Sequence, residues 1–208
     1  MIGAPPRRIA LTISPRTARP ADATASAVGY FDLHCHLLPG VDDGCEDVAE
    51  ALECIRMLSA AGFRGAVCTP HACVRAFPDN VPKNIGRWVA ELQREVREAG
   101  LNYTLWAGAE LRLSGNNLAW FEAHGVPTLG ESRAVLCDWW GDEWPAFCDA
   151  TIDHLLARGY QPILAHPERM GLEEGLLERV LLSLEQRGVW LQGNLNSLGG
   201  GEGRRARD

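Results

Sequence analysis

Residues 30–45 read YFDLHCHLLPGVDDGC, and the order of residue types in this stretch sets the reading of the whole chain. A short apolar run closes on His34-Cys35-His36, and a Pro-Gly turn carrying two acids follows. On an extended chain, residues i and i+2 point to the same side, so both imidazoles can reach one ion from the end of a strand. An H-x-H pair alone is weak evidence for a metal. Its weight comes from what repeats downstream.

Further apolar runs lead into polar residues in the same manner. RGAVCTP (64–70) runs into His71, YTLWAGAE (103–110) ends on Glu110, and SRAVLCDWW (132–140) carries Asp138. QPILAHPE (161–168) carries His166, and GVWLQGN (188–194) ends on Asn194. Between these runs lie helical stretches. Residues 46–61 place Val48, Leu52, Ile55, Met57 and Leu58 at helical spacing before Gly62. Residues 81–99 make a long charged helix closed by Gly100, residues 145–158 enter a helix through Pro145, and residues 173–187 form another. The alternation predicts parallel strands in an α/β fold, as a barrel or an open doubly wound sheet. No dinucleotide or P-loop fingerprint follows a strand, and no repeat of fixed period occurs.

In a parallel barrel every strand ends on the same face, so these polar residues would converge on one pocket. His34, His36, His71 and His166 are four of the chain's six histidines. With Glu110 and Asp138 they make an imidazole and carboxylate set suited to zinc, manganese or iron rather than calcium. Asp42 and Asp43 read either as caps of the following helix or, for Asp43, as a reach into the same pocket. Arg169, three residues beyond His166, reads as a bidentate phosphate clamp or as a surface partner of Glu168 or Glu173. His124 and His154 read as structural or surface residues, and Trp139, Trp140 and Trp144 as core or rim packing.

Composition narrows the class. The chain has 208 residues, 46% of them hydrophobic, and a net charge of −7, which argues against nucleic acid or an anionic membrane surface as partner. It has no apolar stretch of about 20 residues, so no membrane insertion is expected. Seven cysteines with no C-x-x-C pair read as reduced thiols, many of them inside apolar runs, in a cytoplasmic protein. Residues 1–29, rich in Arg, Pro, Ala, Ser and Thr, read as a disordered or mis-started tail. Thiol-dependent tyrosine phosphatases need C-x₅-R. Six positions beyond each cysteine lie Val41, Ala51, Ala60, Val74, Asp79, Glu143 and His154, so no thiolate mechanism is expected.

The motifs FDLHCHLLPGVDDGCED, CTPHA, WAGAELR, PTLGESRAVL, LAHPERM and LQGNLNSLGG, in order over residues 31–200, resemble those of the PHP family of metal-dependent phosphoesterases. The resemblance is to its bacterial protein-tyrosine-phosphatase branch, which acts in capsule and exopolysaccharide synthesis. It implies a distorted (β/α)₇ barrel over residues 30–200, with a flexible end at 201–208. It also implies a cluster of up to three divalent ions, often manganese, that hydrolyses a phosphate monoester with a metal-activated water, on a tyrosine-phosphorylated protein such as a bacterial tyrosine kinase. By motif position, His34, His36 and Glu110 match ligands of the first metal. Glu110 bridges to a second ion also held by His71 and His166, Asp43 matches a third-site ligand, and Arg169 matches the phosphate-binding arginine. Two departures stand out. Asp138 occupies a position where the family usually has Glu, and the chain stops at GGGEGRRARD before the family's D-x-H segment, so the last strand and helix of the barrel are expected to be missing. That departure keeps an inactive metal-binding reading open, beside the histidinol-phosphatase and nuclease-type branches of the family. No motif specifies an oligomeric state.

Overall fold

The computed structural model describes residues 29–200. Strand β1 (Tyr30–Cys35) runs parallel to β2 (Phe63–Cys68), and α1 (Val48–Ala60) crosses between them. Helix α1 starts where the Asp47 side chain accepts the Glu50 N–H at 2.9 Å, and Gly62 at φ 98° lets the chain turn out of it. After β3 (His71–Ala72), α2 (Pro82–Glu98) begins at a proline and buries Ile85, Val89, Leu92 and Val96, one stripe at helical spacing. Next come β4 (Thr104–Ala107), β5 (Glu110–Arg112), α3 (Asn117–His124), β6 (Ala134–Asp138) and α4 (Ala146–Ala157). Strand β7 (Gln161–Ala165), a 3-10 turn (Pro167–Arg169), α5 (Glu174–Gln186), β8 (Trp190–Gln192) and α6 (Leu195–Leu198) complete the order.

All strand pairs between these elements are parallel, in the orders β1-β2-β4 and β3-β5-β6-β7-β8. This is the α/β class with parallel strands that the alternation predicts. The two sheets are one structure with a kink. Strands β2 and β3 are halves of one strand interrupted at Thr69-Pro70, and β4 and β5 are halves of the next, interrupted at Gly108-Ala109. Pro70 has no N–H to give to a ladder. The Gly108 N–H donates to Cys68 O at 3.0 Å and the Glu110 N–H to Pro70 O at 3.1 Å, which stitches the halves together. Gly108 has no room for a side chain: a Cβ there would meet Val67 Cγ1 at 2.7 Å. The kink therefore requires glycine.

The helices pack their apolar stripes over strand residues such as Ala66, Leu111, Val135 and Leu164, all buried. The sheet curves far enough for His34 Nδ1 on β1 to lie 2.9 Å from Gln192 Oε1 on β8. The expected helices 81–99, 145–158 and 173–187 each prove one residue shorter at both ends, because Val81, Pro145 and Glu173 are extended N-caps. Helix α3 is not foreseen in the sequence. It lacks a side-chain cap and buries Asn117, Trp120 and Phe121 without a polar face to mark its period. Among the described residues no helix is long and apolar enough to cross a membrane. The expected tail at 1–29, apart from Gly29, and the expected flexible end at 201–208 lie outside the described residues.

Candidate metal centre

His34, His36, Asp43, His71, Glu110 and His166 line one cavity of about 560 Å³, together with Arg169, Asn194, Trp139 and Trp140. Glu110 is its centre. At the first position of β5, just past the kink, its side chain is 1% exposed. Its Oε1 lies 2.7 Å from His166 Nε2. Its Oε2 is crowded by His71 Nδ1 at 2.9 Å and by the Nε2 atoms of His34 and His36 at 3.3 Å each. None of these approaches to Oε2 has hydrogen-bond geometry, so that buried oxygen has no donor. Both oxygens of Asp138 are equally orphaned. Buried carboxylate oxygens without donors cost free energy that a cation would remove. The residues present therefore fit a metal group. Two ligand clusters share Glu110, one with His34 and His166 and one with His36 and His71. The resemblance implies that Glu110 bridges two ions, and Glu110 is common to both clusters. By proximity of ligand atoms, His34 groups with His166, and His36 with His71.

The imidazoles are oriented from behind. His36 Nδ1 lies 2.7 Å from Asp42 Oδ2, which fixes the proton on Nδ1 and turns Nε2 to the cavity. Gln192 Oε1 does the same for His34 through Nδ1. Asp42 also accepts the N–H groups of His71 at 3.0 Å and Gly44 at 3.1 Å, so one carboxylate ties the loop after β1 to β3. Asp42 is thus no helix cap. That task falls to Asp47. Asp43 lies beside the histidines, its Oδ1 3.3 Å from His71 Nε2 and 3.8 Å from His36 Nδ1. His36, Asp42 and Asp43 form a third cluster of possible ligands.

Charge follows geometry. Burial would raise the Glu110 carboxyl, but the hydrogen bond from His166 and the close imidazoles of His34, His36 and His71 outweigh it and hold the group far below the usual carboxylate range. Burial would lower the His36 imidazole, but Asp42 and Glu110 raise it to about 10. Asp138 is pushed up to about 6 by burial and by the charge of Glu110. Without cations the raised His36 imidazole sits against the Glu110 carboxylate, a pairing that metal ions would replace.

His166 takes φ 30° and ψ 57°, the left-handed region, in the turn before Pro167. Its N–H donates to Gln192 O at 2.6 Å, which holds the strained residue in place. Asp138 does not line the cavity. Its Oδ1 lies 3.8 Å from His166 Nδ1. Arg169, in the 3-10 turn, lines the cavity. Of the two acids considered beside it, Glu168 accepts the Asn194 N–H at 2.8 Å and Glu173 caps α5. Trp139 and Trp140 are rim residues, and the Trp140 ring stands edge-on to His71 at 5.1 Å. His124 and His154 lie on α3 and α4, away from the cavity. Sequence reasoning missed Gln192 and left Asp42 open. The signal for Gln192 was its place two residues before Asn194 at the end of the last run.

Residues 30–208 match the family described as capsular polysaccharide synthesis, CpsB/CapC. CapC of Staphylococcus aureus is 30% identical over 140 residues, 66% of this chain and 54% of CapC. The tyrosine-protein phosphatase YwqE of Bacillus subtilis (strain 168) is 27% identical over 139 residues, 67% of this chain and 54% of YwqE. The chain spans about half the length of these two relatives. It also superposes, with a TM-score of 0.76 and 26% identity, on a chain from the crystal structures of YwqE from Bacillus subtilis and CpsB from Streptococcus pneumoniae, described as metal-dependent tyrosine phosphatases. That match covers 86% of this chain and 71% of the other. The motifs, the parallel α/β fold and the matched span agree: this chain belongs to the CpsB/CapC family of capsular polysaccharide synthesis.

Proposed function

We propose that this protein is a metal-dependent phosphomonoesterase that removes phosphate from tyrosine in a protein of polysaccharide synthesis. The observation that carries the reading is one buried carboxylate, Glu110, facing four imidazoles with an oxygen left without a donor. The named relatives and the structural neighbour support the same chemistry. His34, His36, His71, His166 and Glu110 would hold divalent cations, with Asp43 at a third position and manganese the favoured ion. Bound cations supply the Lewis acidity that brings a water's pKa towards about 7 and offsets charge on the transferring phosphoryl group.

The chain's own residues do the rest. Asp42 and Gln192 hold two imidazoles with Nε2 towards the cavity. Arg169 meets the phosphate oxygens with its planar fork. Trp139 and Trp140 wall the mouth and exclude water from one side. The parallel sheet is best understood as part of a PHP-type barrel spanning residues 30–200, which places the strand ends on one face. The substrate fitting this reading is a tyrosine kinase of the export machinery, in the cytoplasm, where the seven free thiols would stay reduced.

The test is hydrolysis of a phosphotyrosine peptide by chelator-stripped protein, with manganese, zinc or iron restored, beside phosphoserine peptide and histidinol phosphate. Phosphate release from the phosphotyrosine peptide that needs added metal is the expected result. Activity that survives EDTA would remove the metal scheme. Faster turnover of histidinol phosphate would move the chain to another substrate class.

A further inference from the structure

A second cavity, of about 670 Å³, opens beside the metal cavity and shares Trp139 and Trp140 with it. Leu111, Leu113 and Phe147 give it an apolar lining. Its charged lining residues are Arg75 and Arg112, and no aspartate or glutamate lines it among the described residues. In a chain with 27 acidic and 20 basic residues, a groove bordered only by cations is a local reversal of the overall charge.

Both arginines are set on stable supports. Arg75 lies in the turn 73–77, closed by the Phe77 N–H donating to Cys73 O at 2.8 Å, beside Val74, which is 43% exposed. The Arg112 guanidinium lies 4.5 Å from the ring centre of Trp140 and 5.4 Å from that of Trp139, and donates to Trp140 O at 3.5 Å. The backbone beneath it is pinned by buried Asn117, which accepts the Ser114 N–H at 2.5 Å and donates to Arg112 O at 3.1 Å. Asp138, whose charge Arg112 feels, is buried beside His166 rather than in the groove. A guanidinium held over an indole and bonded to its backbone is pre-organised for a carboxylate, because less side-chain freedom is left to lose on binding.

We propose that this groove is the subsite for an acidic stretch of polypeptide flanking the phosphotyrosine. The inference rests on the phosphotyrosine reading above. Continuity supports it: the two cavities share Trp139 and Trp140, so a chain whose phosphorylated side chain enters the metal cavity can run on across Trp140, 57% exposed, into this groove. Apolar side chains of that segment rest on the floor and its carboxylates meet Arg75 and Arg112.

The test uses fluorescein-labelled phosphotyrosine peptides identical except for the residues on both sides of the tyrosine: Asp and Glu, Ala, or Lys. Binding to the full chain is read by fluorescence anisotropy in EDTA, so that no turnover occurs, and hydrolysis is read separately with metal restored. The acidic peptide should bind about tenfold more tightly than the alanine peptide, the gain of one net charge-assisted bond, and the preference should shrink as salt rises. Arg75→Glu and Arg112→Glu should each abolish that preference or turn it towards the lysine peptide. Equal affinities for the three peptides, or a preference unchanged in both variants, would overturn the subsite. So would tighter binding of a polyuronate oligosaccharide than of the acidic peptide. If Arg112→Glu fails to fold by circular dichroism, Arg75→Glu, on an exposed turn, decides alone. An acidic preference without any hydrolysis would leave the subsite standing and remove the phosphatase reading instead.

Discussion

At the scale of single residues, the centre depends on groups that never reach the cavity. Asp42 accepts three donors, from His36, His71 and Gly44, and so fixes a ring, a strand end and a loop together. Asp42→Ala should keep the fold by circular dichroism but weaken manganese binding about 10- to 100-fold, as loss of an outer-shell partner does. Isothermal titration of stripped protein measures it, and unchanged affinity would show that His36 needs no such support. The same residue sets a proton balance. With its imidazole raised to about 10, His36 carries a proton at pH 7 in the metal-free centre and must give it up to bind a cation. Manganese binding at pH 7 should therefore release at least one proton, seen as a dependence of the binding heat on buffer ionisation enthalpy. Apparent affinity should fall about tenfold for each pH unit below 7 per proton released. The proposed ligands were legible because histidine and glutamate at the ends of apolar runs have few other uses. Asp42 was not, since an acid ahead of a helix is as readily a cap. Only the fold reveals that Asp47 took that place.

At the scale of elements, the kink between β4 and β5 aims the central carboxylate. Glu110 stands two residues beyond Gly108, whose missing Cβ lets β4 pass Val67 and Leu129. In Gly108→Ala the new methyl would lie 2.7 Å from Val67 Cγ1 and 2.9 Å from Leu129 Cδ2. Overpacking of this kind costs about 1–3 kcal/mol. We expect a lower denaturation midpoint together with weaker metal binding, because the strain lies next to Glu110. Adding Val67→Ala removes the nearest obstructing atom, so the double variant should lose less than the sum of the two single losses. Strict additivity in the denaturation series would show that the clash relaxes elsewhere. The kink was invisible in the sequence, where YTLWAGAE reads as one strand, because a glycine in a strand does not reveal which neighbour it must clear. The amphipathic helices were readable, α2 above all, with its proline start and its single buried stripe. Helix α3 was not, because Leu118 on its exposed side is as apolar as the buried Trp120 and Phe121.

At the scale of the whole molecule, the parallel α/β class followed from the order of runs and helices, while the pairing of distant strands did not. That pairing gathers β1, β3, β5 and β7 around one carboxylate, so the centre is also a cross-link between the two sheets. Without cations the cross-link consists of imidazoles pressed on Glu110, with orphaned oxygens on Glu110 and Asp138. An ion that binds this folded arrangement and not the unfolded chain stabilises it by about 2.7 kcal/mol at a free concentration of 100 times Kd. For a domain of this size each kcal/mol moves Tm by roughly 2–4 °C. Manganese at that excess should therefore raise Tm by about 5–10 °C in a calorimetric scan, and EDTA should reverse the rise. Glu110→Gln supplies the control. It keeps the volume but removes the charge that both ligand clusters share, so its Tm should no longer respond to manganese. A full response in that variant would mean that the stabilising ion sits elsewhere, and that the convergence of strand ends on Glu110 is packing rather than a metal centre.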